Sequence, residues 1–255
     1  MNAWNDRTVL VTGATAGFGA AIARRYAAAG ARLVLCGRRG ERLAALAGEL
    51  GVPVHPLVLD VRDRACVSGA IQALPAQFAA IDVLVNNAGL ALGLEPAHQT
   101  DLDDWDTMVD TNVKGLMYVT RAVLPGMVAR DRGHVVNIGS IAGTYPYPGG
   151  NAYGATKAAV AQFSLNLIAD LVKTGVRVTN IEPGLCGGSE FSTVRFHGDA
   201  EAAAKVYAGT TPLTSEDVAE AVLWATSLPA HVNIGRIEMM PTCQAPAGLA
   251  VHRTR

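Results

Sequence analysis

The amino-acid sequence predicts an α/β fold, doubly wound around a parallel sheet and built as one domain over residues 1–255. Three observations predict it. Short β-branched, apolar runs alternate with longer stretches of helical spacing along the whole chain. The runs are apolar throughout, the pattern of strands covered on both faces. No linker-like stretch, internal repeat or low-complexity segment interrupts the 255 residues, a length that fits one large domain or two smaller ones.

The first run, Thr8–Thr12, enters a glycine-rich turn and then a helix over Ala20–Ala29. Arg32–Leu35 with Glu41–Leu50, and Val54–Leu59 with Ala65–Leu74, repeat the strand–helix unit. Val83–Asn86 precedes the long helical stretch Trp105–Ala129, and Val135–Ile138 precedes Tyr153–Val172. The last runs, Val176–Ile181 and Ile237–Met240, flank a helix over Ser215–Ser227 whose start carries Thr214 and Asp217 as a capping pair.

Composition narrows the partners. Half the residues are apolar, the net charge is −1 and no basic run exists, so a nucleic-acid partner has no electrostatic footprint. No apolar stretch approaches the roughly 18 residues of a membrane helix. The start, MNAWNDRTVLVTG, is no secretory signal. Cys36, Cys66, Cys186 and Cys243 stand far apart, as unpaired thiols of a reducing cytoplasm do. His134, His197 and the other histidines lack ligand spacing, so no metal site is expected.

The first candidate site is the turn after the first run, TGATAGFG. Gly13, Gly17 and Gly19 let it close and let backbone N–H groups approach a pyrophosphate at a helix N-terminus, with Thr15 and Phe18 in the same turn as further cofactor contacts. A glycine-rich turn without a ligand would look alike, and its place between first strand and first helix favours the ligand. After the second run, where an NAD-binding chain places Asp or Glu, stand Gly37, Arg38 and Arg39. Two guanidiniums suit a 2′-phosphate, although Arg39 alone reads as a solvated loop charge. Missing acid and paired base together point to NADP(H). Asp60 and Val61 would lie at the adenine edge, and Asn87, Ala88 and Gly89 against the ribose, all at strand ends where open α/β sheets bind ligands.

The second candidate site is NAYGATKAAV. Tyr153 and Lys157 are four apart and share a helix face. A free phenol has a pKa of about 10, and lowering it by ~3 units requires roughly 4 kcal/mol of phenolate stabilisation. One ammonium at about 5 Å supplies ~3 kcal/mol at an effective dielectric of 20. The pair thus makes a general acid/base, or else it is a buried tyrosine beside a snorkelling lysine. Ser140, 13 residues upstream, can bond a reacting carbonyl oxygen or be an ordinary turn residue. Asn112 sits inside a helical stretch that does not favour it, and could hold a water relaying protons from Lys157.

In this order and spacing TGATAGFG, NNAG, Asn112, Ser140 and Y-x3-K resemble the compact form of the short-chain dehydrogenase/reductase family, over essentially the whole chain. The resemblance implies a Rossmann-like sheet of seven strands, matching the seven runs above, and a catalytic tetrad of Asn112, Ser140, Tyr153 and Lys157. It implies hydride transfer between nicotinamide and a carbinol or carbonyl carbon, with Tyr153 moving the proton, Ser140 orienting and Lys157 also holding the nicotinamide ribose. Pro183, Gly184, Leu185 and Cys186 would lie near the nicotinamide. Assembly as a homotetramer or homodimer is implied too.

GTYPYPGGNAYGATKA, EPGLCGGSEFSTVRF, LPAHVN and EMMP are similar to bacterial NADP-dependent 3-hydroxy acid dehydrogenases, which act on serine, allo-threonine or 3-hydroxypropionate-type acids and their semialdehydes. Substrate contacts would be Ser140, Tyr153 and, within a substrate loop over residues 184–212, Arg195. Pairing of Arg195 with Glu190 or Asp199 at the surface is equally open. The chain departs from its relatives at Ala16, where many NADP-using members are basic, at Ser189 and Thr193, and at Ile168, where the subgroup tends to carry Arg. Ile168 is fifteen residues from Tyr153, ~22 Å along a helix, so it reads as a packing or subunit-contact position. Alternatives are a broad-specificity ketone/carbonyl reductase, natural or an engineered variant, and from another class an NADP-sensing regulator without turnover. A lyase or epimerase would call for a longer C-terminal domain. The tail PTCQAPAGLAVHRTR folds over the cleft, reaches a neighbour or frays.

Overall fold

The chain starts in the middle of its own sheet. In the computed structural model, which describes residues 4–246, β1 (Thr8–Thr12) pairs in parallel with β2 (Arg32–Gly37) on one side and β4 (Ile81–Asn86) on the other. β3 (Val54–Val58) lies outside β2, while β5 (Gly133–Ile138), β6 (Val176–Pro183) and β7 (Arg236–Met239) continue beyond β4. The order β3-β2-β1-β4-β5-β6-β7, parallel throughout, is the doubly wound sheet of seven strands that the sequence predicts. Winding reverses between β1 and β4, which opens a crevice at the carboxyl ends of those strands.

Helices cover both faces because both faces of the inner strands are apolar. Val9, Val11, Leu33 and Leu35 point into one core with α1 (Gly17–Ala28), α2 (Gly40–Glu49) and α10 (Ser215–Ser227). Leu10, Val34 and Leu84 point into the other with α3 (Arg64–Gln72), α6 (Leu116–Ala129) and α7 (Asn151–Asp170). The short α4 (Ala76–Ala79), α8 (Phe191–Arg195) and α9 (Ala200–Lys205), together with α5 (Leu102–Val109), complete the helices of the described residues. Thr214 and Asp217 form the capping box expected at the start of α10.

Two expectations are corrected. Burial on both faces holds for β1, β4 and β5, though β4 carries Asp82 and Asn86 and β5 carries His134 and Asn137, so these strands are not apolar throughout; β3 and β7 are partly exposed because each has a sheet neighbour on one side only. Pro56 is tolerated in β3 for that reason, since an edge strand needs no donor on its outer side. The single helix expected over Trp105–Ala129 is broken by a π-helical turn, Asp110–Gly115, which separates α5 from α6 and carries Asn112. Ile168 packs within the chain against the second core, its Cδ1 3.4 Å from where a side chain on Gly235 would begin.

Below the crevice lies a polar row the sequence did not announce. Asn86, Asn137 and Asn180 are neighbours in register across β4, β5 and β6. Asn86 Nδ2 donates to Asn137 Oδ1 (2.9 Å) and Thr120 Oγ1 (2.8 Å), and Asn137 Nδ2 donates to Ser164 Oγ (2.8 Å). Buried amides joined in this way tie β4 and β5 to α6 and α7.

Gly19 holds α1 against the first turn: a Cβ there would stand 2.3 Å from the Gly13 carbonyl oxygen. Gly19→Ala therefore forces helix and turn apart, an overpacking that costs about 1–3 kcal/mol. A melting temperature lower by about 2 to 10 °C is expected, and an unchanged melt would contradict the packing role.

Candidate active site

A cleft of about 890 Å³ occupies the crevice. Every residue expected from the sequence to touch cofactor or substrate lines it, except Gly19 and Asn112. Those two act from behind: Gly19 through the packing just described, Asn112 through hydrogen bonds.

In the nucleotide half the two arginines are not equivalent. Arg38 is exposed and has no hydrogen-bond or ion-pair partner among the described residues. Arg39 is held: its Nε and Nη2 donate to Thr15 Oγ1 (3.2 and 2.8 Å) and its Nη1 to Glu190 (2.8 Å). The reading of Arg39 as a solvated charge is thus corrected by a partner 151 residues away. Asp60 is clasped by the Arg62 guanidinium, which holds its carboxyl below the usual range. Asn87 lines the cleft, but its amide donates to the carbonyls of Thr12 (2.9 Å) and Gly13 (3.1 Å), tying the β4 turn to the β1 turn. A glycine turn at a helix N-terminus, a free guanidinium beside a held one and no acid at the end of β2 fit a 2′-phosphorylated dinucleotide.

In the chemical half α7 brings Tyr153 and Lys157 to the cleft, both buried. Lys157 Nζ donates to the Ile138 carbonyl (2.8 Å) and lies 5.7 Å from the Tyr153 ring centre. Ser140 follows β5 at the start of a 3-10 turn, where its Oγ accepts from Ala142 N–H at 3.1 Å. Asn112 is buried on the π turn: its carbonyl accepts from Leu90 N–H (2.9 Å) and its amide donates to Leu90 O (2.8 Å) and Thr156 Oγ1 (3.1 Å). Both amide hydrogens are therefore occupied in bracing Leu90 and α7, and the side-chain carbonyl, already accepting from Leu90, keeps only its second lone pair for the water relay expected from the sequence.

The electrostatics correct a second expectation. Burial pushes the Tyr153 phenol up to about 12, against the pull of the adjacent Ser140 hydroxyl and the Arg195 charge. Burial also drives the Lys157 ammonium down to about 8. Desolvation opposes both charges and outweighs the attraction counted from spacing alone. Burial thus keeps the Tyr153 phenol protonated near neutral pH, as a proton donor.

Arg195 pairs with neither Glu190 nor Asp199. Its Nη2 donates to Tyr147 Oη (2.7 Å), its Nε to Gly93 O (3.2 Å), and its guanidinium lies 5.6 Å from the Tyr153 ring centre. Phe191 meets the Tyr153 ring edge-on at 5.8 Å. Asp199 instead caps α9. Phe191, Tyr147 and Gln244 escaped the sequence reading, since no spacing links them to Tyr153, and Glu190 entered it only as a surface partner for Arg195. Gln244, from the described part of the tail, accepts from Leu185 N–H (2.7 Å) and lines the cleft, so that part folds over it; residues 247–255 lie outside the described residues.

Residues 7–198 match the family described as short chain dehydrogenase. The chain is 64% identical over 246 residues, 96% of its length and 99% of the relative's, to the NADP-dependent 3-hydroxy acid dehydrogenase YdfG of Salmonella typhi. It is 54% identical over 248 residues, 96% of its length and 98% of the relative's, to sulfoacetaldehyde reductase 2 of Chromohalobacter salexigens. Its fold superposes with a TM-score of 0.95 on the closed form of serine dehydrogenase complexed with NADP+, at 61% identity, covering 97% of this chain and 100% of that one.

Proposed function

The chain belongs to the short-chain dehydrogenase family as an NADP-dependent oxidoreductase acting on CH–OH groups, and from that premise we propose that it interconverts a short 3-hydroxy acid with its semialdehyde. Serine, allo-threonine and 3-hydroxypropionate are the substrates this reading favours. The observation that carries it is Arg195, a cation directly over the Tyr153 ring, placed to receive a carboxylate while the phenol addresses the hydroxyl.

NADP, when bound, takes up or returns the hydride. The nucleotide is assigned to the glycine turn, Arg38 and Arg39, the strand ends at Asp60–Val61 and Asn87–Gly89, and the Pro183–Cys186 stretch. Tyr153 Oη gives its proton to the substrate oxygen during reduction and recovers one during oxidation. Ser140 Oγ holds that oxygen in line with the phenol. Lys157 lowers the cost of the phenolate once further positive charge enters the cleft, and Asn112 keeps α7 and Leu90 in place. Residues 184–212 act as the substrate loop of a single domain, residues 1–255.

The test is an initial-rate panel with NADP+: L- and D-serine, 3-hydroxypropionate, 2-hydroxyethanesulfonate and an aryl alcohol. Preference for the carboxylates is expected. Arg195→Gln should raise KM for them by about 10- to 100-fold, the worth of a charge-assisted bond, and leave the aryl alcohol unaffected. Equal losses on all substrates would sink the role of Arg195. A sulfonate preference would favour a second reading, supported by the sulfoacetaldehyde reductase among the relatives, in which the same guanidinium holds a sulfonate. Preference for the aryl alcohol would make it a broad carbonyl reductase.

No helix among the described residues is long and apolar enough to cross a membrane. The proposal includes a homotetrameric or homodimeric assembly in the cytoplasm with no nucleic-acid partner, which light scattering of the purified chain tests for subunit number.

A further inference from the structure

We infer that Glu190 is a positioning residue that sets nucleotide specificity and substrate affinity together, by tying the arginines of the 2′-phosphate site to the helix that carries Arg195. The inference rests on the assignments of Arg38 and Arg39 to the phosphate and of Arg195 to the substrate.

Glu190 immediately precedes α8, at the cleft side of the substrate loop. Its two carboxylate oxygens go to different arginines: Oε2 accepts from Arg39 Nη1 and Oε1 from Arg42 Nη1, both at 2.8 Å. Among the described residues these are the ion pairs that join residues 184–212 to the β2–α2 connection, through Arg39, and to α2, through Arg42. The neighbouring residue seals the same seam, since a Cβ on Gly17 would stand 3.0 Å from Ser189 Cβ. In the other direction the chain passes at once to Phe191, against Tyr153, and one helical turn later to Arg195 above it. Glu190 is built into that helix, its carbonyl accepting from Val194 N–H at 2.9 Å. A shift at Glu190 therefore reaches Phe191 and Arg195 as a rigid displacement of one short helix.

The two arms differ in what else they serve. Arg42 is on α2 and does not line the cleft, so its bond to Glu190 is independent of the cofactor. Arg39 lines the cleft and is shared between the loop carboxylate and any phosphate next to Arg38. A 2′-phosphate and Glu190 thus compete for one guanidinium, while Arg42 keeps the loop attached. The carboxylate weakens binding of the phosphate to a modest degree and in return holds Arg195 and Phe191 where the substrate needs them.

The competition makes opposite signs the signature. In Glu190→Gln, calorimetric binding of 2′,5′-ADP, a probe with the phosphate but no nicotinamide, should tighten by about three- to tenfold as Arg39 loses a competing charge. Hydrogen exchange of the Val194 and Phe196 amides should quicken by about tenfold as the loop loosens, and KM for the preferred hydroxy acid should rise by a similar factor. Arg42→Gln should also loosen the loop, but with 2′,5′-ADP bound more weakly, since Glu190 then falls wholly on Arg39. The inference is overturned if Glu190→Gln leaves 2′,5′-ADP affinity within about twofold, or weakens it, whatever happens to turnover. If the wild type binds 2′,5′-ADP no better than 5′-AMP, the phosphate-site assignment fails and the inference with it. Tightened 2′,5′-ADP and faster exchange without a KM effect would confine the failure to the substrate assignment.

Discussion

Tyr153→Phe is expected to bind NADPH as tightly as the wild type and to lose turnover by about 10²- to 10⁴-fold, the worth of a positioned general acid/base. The substitution deletes one oxygen from a buried ring whose packing against Phe191 depends on the ring alone. Fluorescence titration of NADPH and stopped-flow rates on the same preparation separate binding from chemistry. A variant with nearly full turnover would remove Tyr153 from the chemistry. A wild type that binds NADPH but turns over nothing on the panel, and is indifferent to the substitution, would support a cofactor sensor instead.

Lys157→Met should be nearly as damaging to turnover, and it carries a second signature that a solvated, snorkelling lysine would lack. Burial lowers Lys157 from the ordinary 10.5 of a lysine to about 8. Between those limits the unfolded chain keeps a proton that the native protein has released, so stability rises with pH. Below about 8 the native state bears the full cost of the buried ammonium. The wild type should therefore gain on Lys157→Met by up to about 1.4 kcal/mol per pH unit through that window. Tyr153 acts with the opposite sign higher up, between 10.0 and about 12, where the unfolded chain has lost a proton that the native phenol retains. Urea midpoints of both proteins at a series of pH values test this. Parallel curves between neutrality and pH about 10 would mean that the Lys157 charge is already solvated or paired.

What could be read from the sequence was whatever spacing along one element determines. Tyr153 and Lys157 share α7, so their common face was legible from spacing, whereas Ser140, on a different element, was joined to them only through the family resemblance. The helix start at Thr214 was legible for the same reason, because a capping box is local. Partnerships across the chain were not: Arg39 finds Glu190 at a separation of 151 residues, and Arg195 finds Tyr147 at 48. Nor could spacing supply desolvation, which is why the arithmetic for the Tyr153–Lys157 pair gave the attraction and missed the larger opposing cost of burial. The edge strands were misjudged because β-branched residues mark a strand without telling how many neighbours it has. The break around Asn112 was hidden because Trp105, Val109, Val113 and Leu116 still recur at intervals of three and four across it, so no local spacing marks the wider turn.

The extra residue of that wider turn fixes more than a side chain. Each residue of an α-helix turns its successor by about 100°, so a one-residue insertion sets everything downstream of it out of phase with everything upstream. Met108 before the π turn and Val119 and Val123 after it are nevertheless all buried. The two halves have settled into complementary phases. Deleting a residue would restore an unbroken helix and at once swing one buried stripe into water, with Asn112 turned off Leu90 and Thr156.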